Sequence, residues 1–259
     1  MPADSSPAVS SSSADSYDGL SADSIARRLG VVDLHLYASV GSTMDTAHAL
    51  AAAGARAGTI VLADEQTAGR GRKGRAWRSD PDRGIWLTLL DRPGDAAGLD
   101  VLSLRVGLVA ARALDHLAAA PVRLKWPNDL FTAGGKLAGV LVEARWRNGQ
   151  PDWVAIGLGV NVRPPRAVPA ARGLRDGVSR IDVLASLVPA LRAAAAQRGP
   201  LAASELAEYA ARDDARGRRC LSPAHGVVAG VTAAGELAVE TAHGIARFRT
   251  GSLVLEEGA

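Results

Sequence analysis

The stretch Gly69-Arg70-Gly71-Arg72-Lys73-Gly74-Arg75 places four cations and three glycines within seven residues. No acidic residue lies between Gln66 and Ser79. The residues before it, 59–64, and after it, 85–90, are apolar and rich in β-branched or aliphatic side chains, which is typical of buried strands. We therefore expect this stretch to be a loop held between two strands.

The composition of this basic loop suggests contact with anions. Its glycines let the backbone approach a ligand closely and adopt positive φ, and its arginines offer planar forks that match carboxylate and phosphate. Three interpretations are open: a solvated flexible loop, a nucleic-acid contact of the Gly-Arg type, or an anion-binding catalytic loop on a rigid sheet. Because the run is single and lies between two strand patterns, we favour the third.

The remaining segments mix strand and helix patterns without regular strand–helix–strand alternation. The helical patterns cover residues 20–29, 44–53, 99–117, 179–196 and 201–211. Further strand patterns cover residues 32–38, 122–126, 130–131, 137–143 and 153–162. This mixture predicts an α+β fold rather than a doubly wound parallel sheet.

The two ends of the chain differ from its middle. Residues 1–17 are rich in Ser, Asp and Ala, carry no signal-peptide pattern, and are predicted to be a disordered tail. After residue 213, glycines at intervals of about ten residues separate short strand patterns, which is typical of a small β-barrel. The predicted organisation is a tail at 1–17, a main domain at 18–213 and a small β-domain at 214–259.

The overall composition is that of an ordinary globular protein, with 47% hydrophobic residues and 22% charged residues. A net charge of +3 does not predict a nucleic-acid-binding protein. Cys220 is the single cysteine, which excludes an intrachain disulfide and, without a secretion signal, predicts a cytoplasmic location. No apolar run is long enough to cross a membrane.

Two further motifs lie downstream of the basic loop. Lys125-Trp126-Pro127-Asn128-Asp129 follows a strand pattern, so that Asp129 could hold a divalent cation and Asn128 could bind a phosphate or ribose. The alternative is a tight turn whose Asn and Asp bond their own backbone. Lys136 opens the next strand, where its ammonium could reach an anionic intermediate or could simply be exposed. In Gly157-Leu158-Gly159-Val160-Asn161, the glycines indicate close backbone approach to a ligand.

Taken in this order, the motifs resemble those of the biotin protein ligases, also called biotin–acetyl-CoA-carboxylase ligases. The matching pieces are Ser42-Thr43, the run from Gln66 to Arg75, Lys125 to Asp129, Lys136-Leu137-Ala138-Gly139, and Gly157-x-Gly159-x-Asn161. The resemblance implies an α+β catalytic domain with a mixed sheet, followed by an SH3-like β-barrel. It also implies ATP-dependent formation of biotinyl-5′-AMP and transfer of biotin to a lysine of a carboxylase carrier domain.

The resemblance also implies roles for individual residues. Arg72 and Lys136 would be catalytic and would contact the biotin carboxylate and the phosphate. Biotin would be bound by Ser42, Thr43, Met44, Gln66, Arg70, Gly71, Arg72 and Lys136, with Leu141 beside its aliphatic chain. ATP, taken with Mg²⁺, would be bound by Arg72, Trp77, Asn128, Asp129, Lys136 and Asn161, and Asp129 is also the candidate metal ligand.

This sequence departs from the family pattern at Met44, where the family usually has Asn after Ser-Thr, so that a side-chain amide is missing. An N-terminal DNA-binding domain, present in bifunctional members, is not expected here, and neither is membrane association; a homodimer is possible. The nearest alternative is a lipoate or octanoate attachment enzyme with the same catalytic fold. An alternative from another class is a non-enzymatic nucleic-acid-binding module that uses the basic loop.

Overall fold

The computed structural model describes residues 12–256, and their largest element is an eight-stranded mixed sheet. In space its strands follow the order β1-β2-β3-β4-β8-β7-β6-β5. The pair β2 and β3 is parallel, and the other neighbouring pairs are antiparallel. The strands are β1 (Ser12–Ser13), β2 (Leu34–Val40), β3 (Ile60–Gln66), β4 (Gly84–Asp91), β5 (Arg123–Lys125), β6 (Asp129–Thr132), β7 (Gly135–Arg147) and β8 (Gln150–Asn161). The predicted α+β class with a mixed sheet is confirmed.

Within residues 12–256, five α-helices accompany this sheet: α1 (Ala22–Leu29), α2 (Thr43–Ala52), α3 (Leu102–Asp115), α4 (Arg180–Ala196) and α5 (Ala203–Arg212). Side chains alternate across a strand, so Leu89 and Leu90 of β4 face opposite sides of the sheet. Leu89 belongs to the main core with α3 and α4, whereas Leu90 packs with Ala51 of α2 and with Trp153. Helix α2 therefore covers the second face of the sheet. None of the described helices is long and apolar enough to cross a lipid bilayer.

Serine side chains cap three of the helices at their first turn. Ser21 accepts a hydrogen bond from the Ser24 amide, Ser42 from the Met44 amide, and Ser179 from the Asp182 amide. Such caps satisfy amide groups that have no partner inside the helix. The cap at Ser42 fixes where α2 begins, and with it the direction in which residues 42–44 point.

The N-terminal tail predicted at residues 1–17 needs a correction. Residues 1–11 lie outside the described part of the chain, but residues 12–17 belong to the fold, since Ser12 and Ser13 pair with β2. The reason is Tyr17, which is 2% exposed and donates a hydrogen bond from its hydroxyl to the Gly84 carbonyl at 3.0 Å. Its ring lies 3.9 Å from the Arg180 guanidinium carbon, so a cation–π contact adds to the burial.

A second, antiparallel sheet of five strands follows α5. It contains β9 (Arg219–Ser222), β10 (Gly226–Val231), β11 (Leu237–Thr241), β12 (Gly244–Phe248) and β13 (Val254–Leu255), in the order β12-β11-β10-β9-β13. This arrangement is consistent with the predicted SH3-like barrel, and Cys220 is buried in it. The Trp126 indole donates to the Gly235 carbonyl at 3.1 Å, which connects this sheet to the larger one. The boundary at residue 214 stays a prediction.

Candidate active site

A cavity of about 280 Å³, here called cavity A, lies between α2, the basic loop and the ends of β6 to β8. The predicted site residues meet there, with the exception of Asn161. They are Ser42, Thr43, Met44, Gln66, Arg70, Gly71, Arg72, Trp77, Asn128, Asp129 and Lys136, and Leu141 lines the cavity as well. The fold thus brings together segments that are up to about a hundred residues apart in the sequence.

One end of cavity A, the polar end, is formed by hydroxyl and amide groups that bond one another. The Thr88 hydroxyl donates to Thr43 Oγ1 at 2.9 Å, and the Thr43 hydroxyl donates to Gln66 Oε1 at 3.0 Å. The Thr43 amide donates to the same oxygen at 2.9 Å, and Gln66 Nε2 donates to Ser79 Oγ at 2.8 Å. This chain fixes the Gln66 amide orientation before any ligand enters.

Met44 is the apolar member of the polar end. Its side chain is 3% exposed, and a Cβ added at Gly157 would lie 2.8 Å from its terminal methyl. The methyl therefore fills the space above Gly157 on β8. At the position where an amide was expected, the structure has a buried thioether that packs on the sheet.

Another part of the cavity A lining, here called the charged end, contains Arg72, Asp129 and Lys136. Lys136 Nζ lies 2.7 Å from Asp129 Oδ1 and 5.0 Å from the centre of the Trp77 ring. Burial lowers the pKa of the Arg72 guanidinium, and the nearby Asp129 carboxylate opposes that shift. Within residues 12–256, the Arg72 side chain has neither a hydrogen bond nor an ion pair. Two cations thus meet a single carboxylate.

The basic loop itself is a tight hairpin above the cavity. The Gly71 amide donates to the Arg75 carbonyl at 2.7 Å, and the Trp77 amide donates to the Gly69 carbonyl at 2.8 Å. At the tip, Lys73 and Gly74 have φ of 56° and 69°, which is the left-handed conformation that glycine adopts without strain. The hairpin is therefore an ordered element, which argues against the solvated-linker interpretation.

The Trp77 ring packs against two glycines of paired strands, Gly139 of β7 and Gly159 of β8, which lie opposite each other. A Cβ at Gly159 would lie 2.6 Å from Trp77 Nε1, and a Cβ at Gly139 would lie 3.0 Å from the ring. The close approach that these strand glycines permit is therefore to the protein's own side chains, Trp77 and Met44. Among the described residues, the buried Trp77 Nε1 has no hydrogen-bond partner.

The two predicted asparagines differ in their placement. Asn128 lines cavity A, but its Nδ2 donates to the Val140 carbonyl at 2.7 Å. The Val140 amide donates in turn to the backbone carbonyl of Asn128 at 2.9 Å. The Asn128 side chain thus connects the Lys125–Asp129 motif to β7, a contact that neither interpretation of this motif predicted. Asn161 is 3% exposed, donates to the Lys136 carbonyl at 3.2 Å, and lines a different cavity.

That second cavity, cavity B, has a volume of about 760 Å³ and lies on the other side of Trp77. Asn161, Arg78 and residues of the 165–171 loop line it. It shares Gln66, Ala76, Trp77 and Lys136 with cavity A, so the two cavities are adjacent and these four residues lie at their boundary. This arrangement offers two adjacent compartments with a common cationic boundary.

Several lining residues were not predicted from the sequence. Thr88 is a fully buried threonine in the middle of β4, and no local pattern distinguishes it from a core position. Gly251, Ser252 and Leu253, in the loop between β12 and β13, also line cavity A, and Lys73 Nζ lies 3.4 Å from Ser252 Oγ. The glycine-turn pattern predicted a loop at 251 but could not predict what the loop faces.

Asp129 is the candidate ligand for a divalent cation. Residues 12–256 contain no group of three or more His, Cys, Asp or Glu side chains that could hold a metal by themselves. A single carboxylate fits Mg²⁺, which keeps several waters and is commonly bound by one or two carboxylates together with substrate phosphates. The protein would therefore supply one ligand to a cation that arrives with a nucleotide.

Comparison with known proteins agrees with this geometry. Residues 36–161 match the model of the Biotin/lipoate A/B protein ligase family, and they run from within β2 to the end of β8 and include most of cavity A. The chain carries a biotin/lipoate A/B protein ligase domain. In this ligase domain the basic loop, the Lys125–Asp129 motif and Lys136 all fall within the matched residues.

Curated relatives match the ligase domain over part of their length. The biotin–[acetyl-CoA-carboxylase] ligase of Mycobacterium tuberculosis is 41% identical over 160 residues, 58% of each chain. The bifunctional ligase/repressor BirA of Bacillus subtilis is 38% identical over 124 residues, 48% of this chain and 38% of that protein. The match thus spans less than two thirds of the length of these relatives.

Among solved structures, the biotin protein ligase of Aquifex aeolicus in complex with biotin and ATP is similar over almost its whole length. The TM-score is 0.72 at 25% identity, and the alignment covers 87% of this chain and 99% of that one. Because the alignment covers 87% of this chain, the likeness extends beyond the 126 residues from 36 to 161 of the family match.

Proposed function

We propose that this protein is a biotin protein ligase, which activates biotin with ATP and transfers it to a lysine on the carrier domain of a biotin-dependent carboxylase. The observation that carries the proposal is the pair of cavities that meet at Trp77 and Lys136. An adenylation reaction needs two anionic substrates side by side, with cations between them that offset their repulsion.

We assign biotin to cavity A, with its ring at the polar end and its carboxylate at the charged end. The ureido ring has both donors and an acceptor, which suits the hydroxyls of Ser42 and Thr43 and the amide of Gln66. Leu141 and the Met44 methyl that packs on Gly157 provide a surface for the hydrocarbon chain. A linear octanoyl chain has no polar tip, and a site with buried polar groups rejects a ligand that leaves them unpaired.

We assign ATP to cavity B, with the α-phosphate at the boundary with cavity A. Trp77 and Asn161 would contact the adenine nucleoside, and Lys136 and Arg72 would contact the reacting carboxylate and phosphate. Asp129 would hold Mg²⁺, which would neutralise phosphate charge. This assignment uses Asn161, the one predicted residue outside cavity A, on the side where the structure places it.

The reaction then has two steps. A carboxylate oxygen of biotin attacks the α-phosphorus of ATP, and the bond to the bridging oxygen of pyrophosphate breaks. An unprotonated lysine amine of the carrier then attacks the carbonyl carbon of the mixed anhydride, and AMP leaves. The mixed anhydride is labile in water, so a hairpin that covers cavity A protects it.

The proposal is tested with purified protein, MgATP, biotin and a biotin carboxyl carrier fragment. We expect pyrophosphate release and streptavidin-detectable labelling of the carrier, both dependent on biotin. Octanoate in place of biotin distinguishes the nearest alternative, because a fatty-acyl ligase would form octanoyl-AMP and ignore biotin. Salt-sensitive DNA or RNA binding with no ATP turnover would instead support the nucleic-acid-binding module.

A further inference from the structure

Arg70, the first arginine of the basic loop, is held by carboxylates from two different elements. Its guanidinium donates to Asp45 of α2 and, through Nη2, to both carboxylate oxygens of Glu143 on β7 at 3.2 and 3.1 Å. Two carboxylates on one planar guanidinium define its position in a way that a single ion pair does not. Neither Asp45 nor Glu143 is a cavity A residue.

Glu143 is in turn fixed by α2 and β8. His48 Nε2 lies 2.9 Å from Glu143 Oε2, and the Trp153 indole donates to His48 Nδ1 at 2.9 Å. Because Nδ1 accepts from the indole, Nε2 carries the proton and donates to the carboxylate. The contacts therefore form a chain from Trp153 through His48 and Glu143 to Arg70.

The charged groups in this series of contacts stabilise one another. Burial lowers the pKa of Arg70, but the hydrogen bonds and charges of Asp45 and Glu143 outweigh it and raise the pKa above its ordinary value. Burial raises the pKa of Glu143, but the His48 hydrogen bond and the Arg70 charge outweigh it and lower that pKa. Arg70 and Glu143 thus stabilise each other's ionised form, whereas Arg72, two residues further on, has no such partner in the described chain.

We propose that Asp45 and Glu143 are positioning residues, which fix the basic hairpin above cavity A by binding Arg70 and so place Arg72 at the charged end. Arg70 would then act on biotin through its backbone rather than through its guanidinium. The inference rests on the proposed function for its kinetic consequences, but the attachment of the hairpin can be measured without any substrate.

The first measurement is limited trypsin digestion of the full chain without ligands, with cleavage after residues 70–75 followed by mass spectrometry. We expect Asp45→Asn and Glu143→Gln each to speed cleavage in this loop by about tenfold, since the loop must open before it can be cut. Arg145→Gln is the matched control, because Arg145 lies 3.9 Å from the same carboxylate without contacting the loop. The Asp45 side chain is 51% exposed, so Asp45→Asn tests the attachment without disturbing the core.

The second measurement is biotin-dependent pyrophosphate release. We expect kcat to fall about tenfold in both variants, and the adenylate to escape faster, because a displaced loop misplaces Arg72. The KM for ATP should change less than about threefold, because cavity B keeps its lining. The double variant Arg70→Gln with Glu143→Gln should be no worse than Arg70→Gln alone, since Arg70→Gln already removes the contacts to both carboxylates.

The outcomes separate the two proposals. Wild-type cleavage rates and kinetics in both Asp45→Asn and Glu143→Gln would overturn the positioning role. Additive losses in the double variant would overturn it too, because they would show that Arg70 and Glu143 act separately. Faster cleavage in the variants, with no pyrophosphate release even from the wild type, would support the attachment and refute the ligase.

Discussion

The two ends of cavity A differ in how their polar groups are paired. At the polar end, Thr88, Thr43 and Gln66 are already bonded to one another, so the buried groups have partners in the absence of a ligand. At the charged end, Arg72 and Lys136 share one carboxylate, Asp129, and burial already lowers the pKa of Arg72. The protein thus preorganises the end that would recognise an uncharged ring, and leaves an excess of positive charge at the end that would receive anions.

This contrast has an energetic meaning. A preformed hydrogen-bonded wall loses little conformational freedom when a ligand binds, so its effect should appear mainly in affinity. Cations that are partly removed from water and outnumber their carboxylate partners interact most strongly with charge that develops during the reaction, so their effect should appear mainly in rate. Substitutions at the two ends should therefore separate into Kd effects and kcat effects.

The largest expected effect is at Lys136. Lys136→Ala removes the cation at the boundary of the two cavities and is expected to lower kcat for pyrophosphate release by about 10²–10³-fold. Lys136→Arg keeps the charge but changes its shape, and should recover part of that loss. A Lys136→Ala enzyme with near-normal kcat and a raised Kd for biotin would reverse the assignment of the two ends.

A smaller effect is expected where Trp77 separates the cavities. Gly159→Ala places a methyl 2.6 Å from Trp77 Nε1, so the ring must move, and we expect the KM for ATP to rise about tenfold or more. The matched variant is Gly157→Ala on the same strand, whose methyl meets the flexible end of Met44 at 2.8 Å. Its KM for ATP should stay within about threefold of wild type. Equal effects of the two variants would show that Trp77 does not shape the nucleotide compartment.

The sequence predicts the charged end far better than the polar end. The glycine–arginine run, the Lys125–Asp129 motif and Lys136 are short stretches whose composition already indicates anion chemistry, and the structure brings them together in cavity A. Thr88, by contrast, reaches Thr43 only because α2 packs against β4, and that packing depends on the tertiary fold. Nothing in the residues around Thr88 signals that contact.

The attachment of the basic loop through Arg70 could not be predicted from the sequence for the same reason. Arg70 contacts Glu143, 73 residues away in the sequence, and the alternation of β7 decides which of its side chains face α2. Local patterns could likewise not show that Tyr17 is buried, because its hydroxyl partner, Gly84, lies 67 residues further on. Patterns of local composition predict elements and motifs, whereas contacts between distant elements require the tertiary fold.

Thr88→Val tests the polar end, and its expected effect on ligand binding is smaller than that of Gly159→Ala beside Trp77. The change removes a buried hydroxyl that donates to Thr43, and we expect the Kd for biotin to rise about fivefold, with kcat nearly unchanged and a stability loss of about 1–2 kcal/mol. Thr132→Val is the control, since the Thr132 hydroxyl donates to the Ala120 carbonyl at 2.9 Å, outside either cavity. Isothermal titration and thermal unfolding of both variants check this. If Thr88→Val binds biotin with the same Kd as the wild-type protein, the polar end has no recognition role.

The smallest effect is expected for a conservative change at Met44, the apolar member of that end. Met44→Leu keeps the side-chain volume above Gly157, so the Kd for biotin should change less than about threefold. Met44→Asn supplies an amide, and one added hydrogen bond of about 1 kcal/mol would tighten biotin binding about fivefold. If Met44→Asn instead weakens binding while Met44→Leu does not, packing against Gly157 matters more than an extra polar contact. The polar end would then have to be redefined as hydroxyl and amide groups arranged around a required apolar contact.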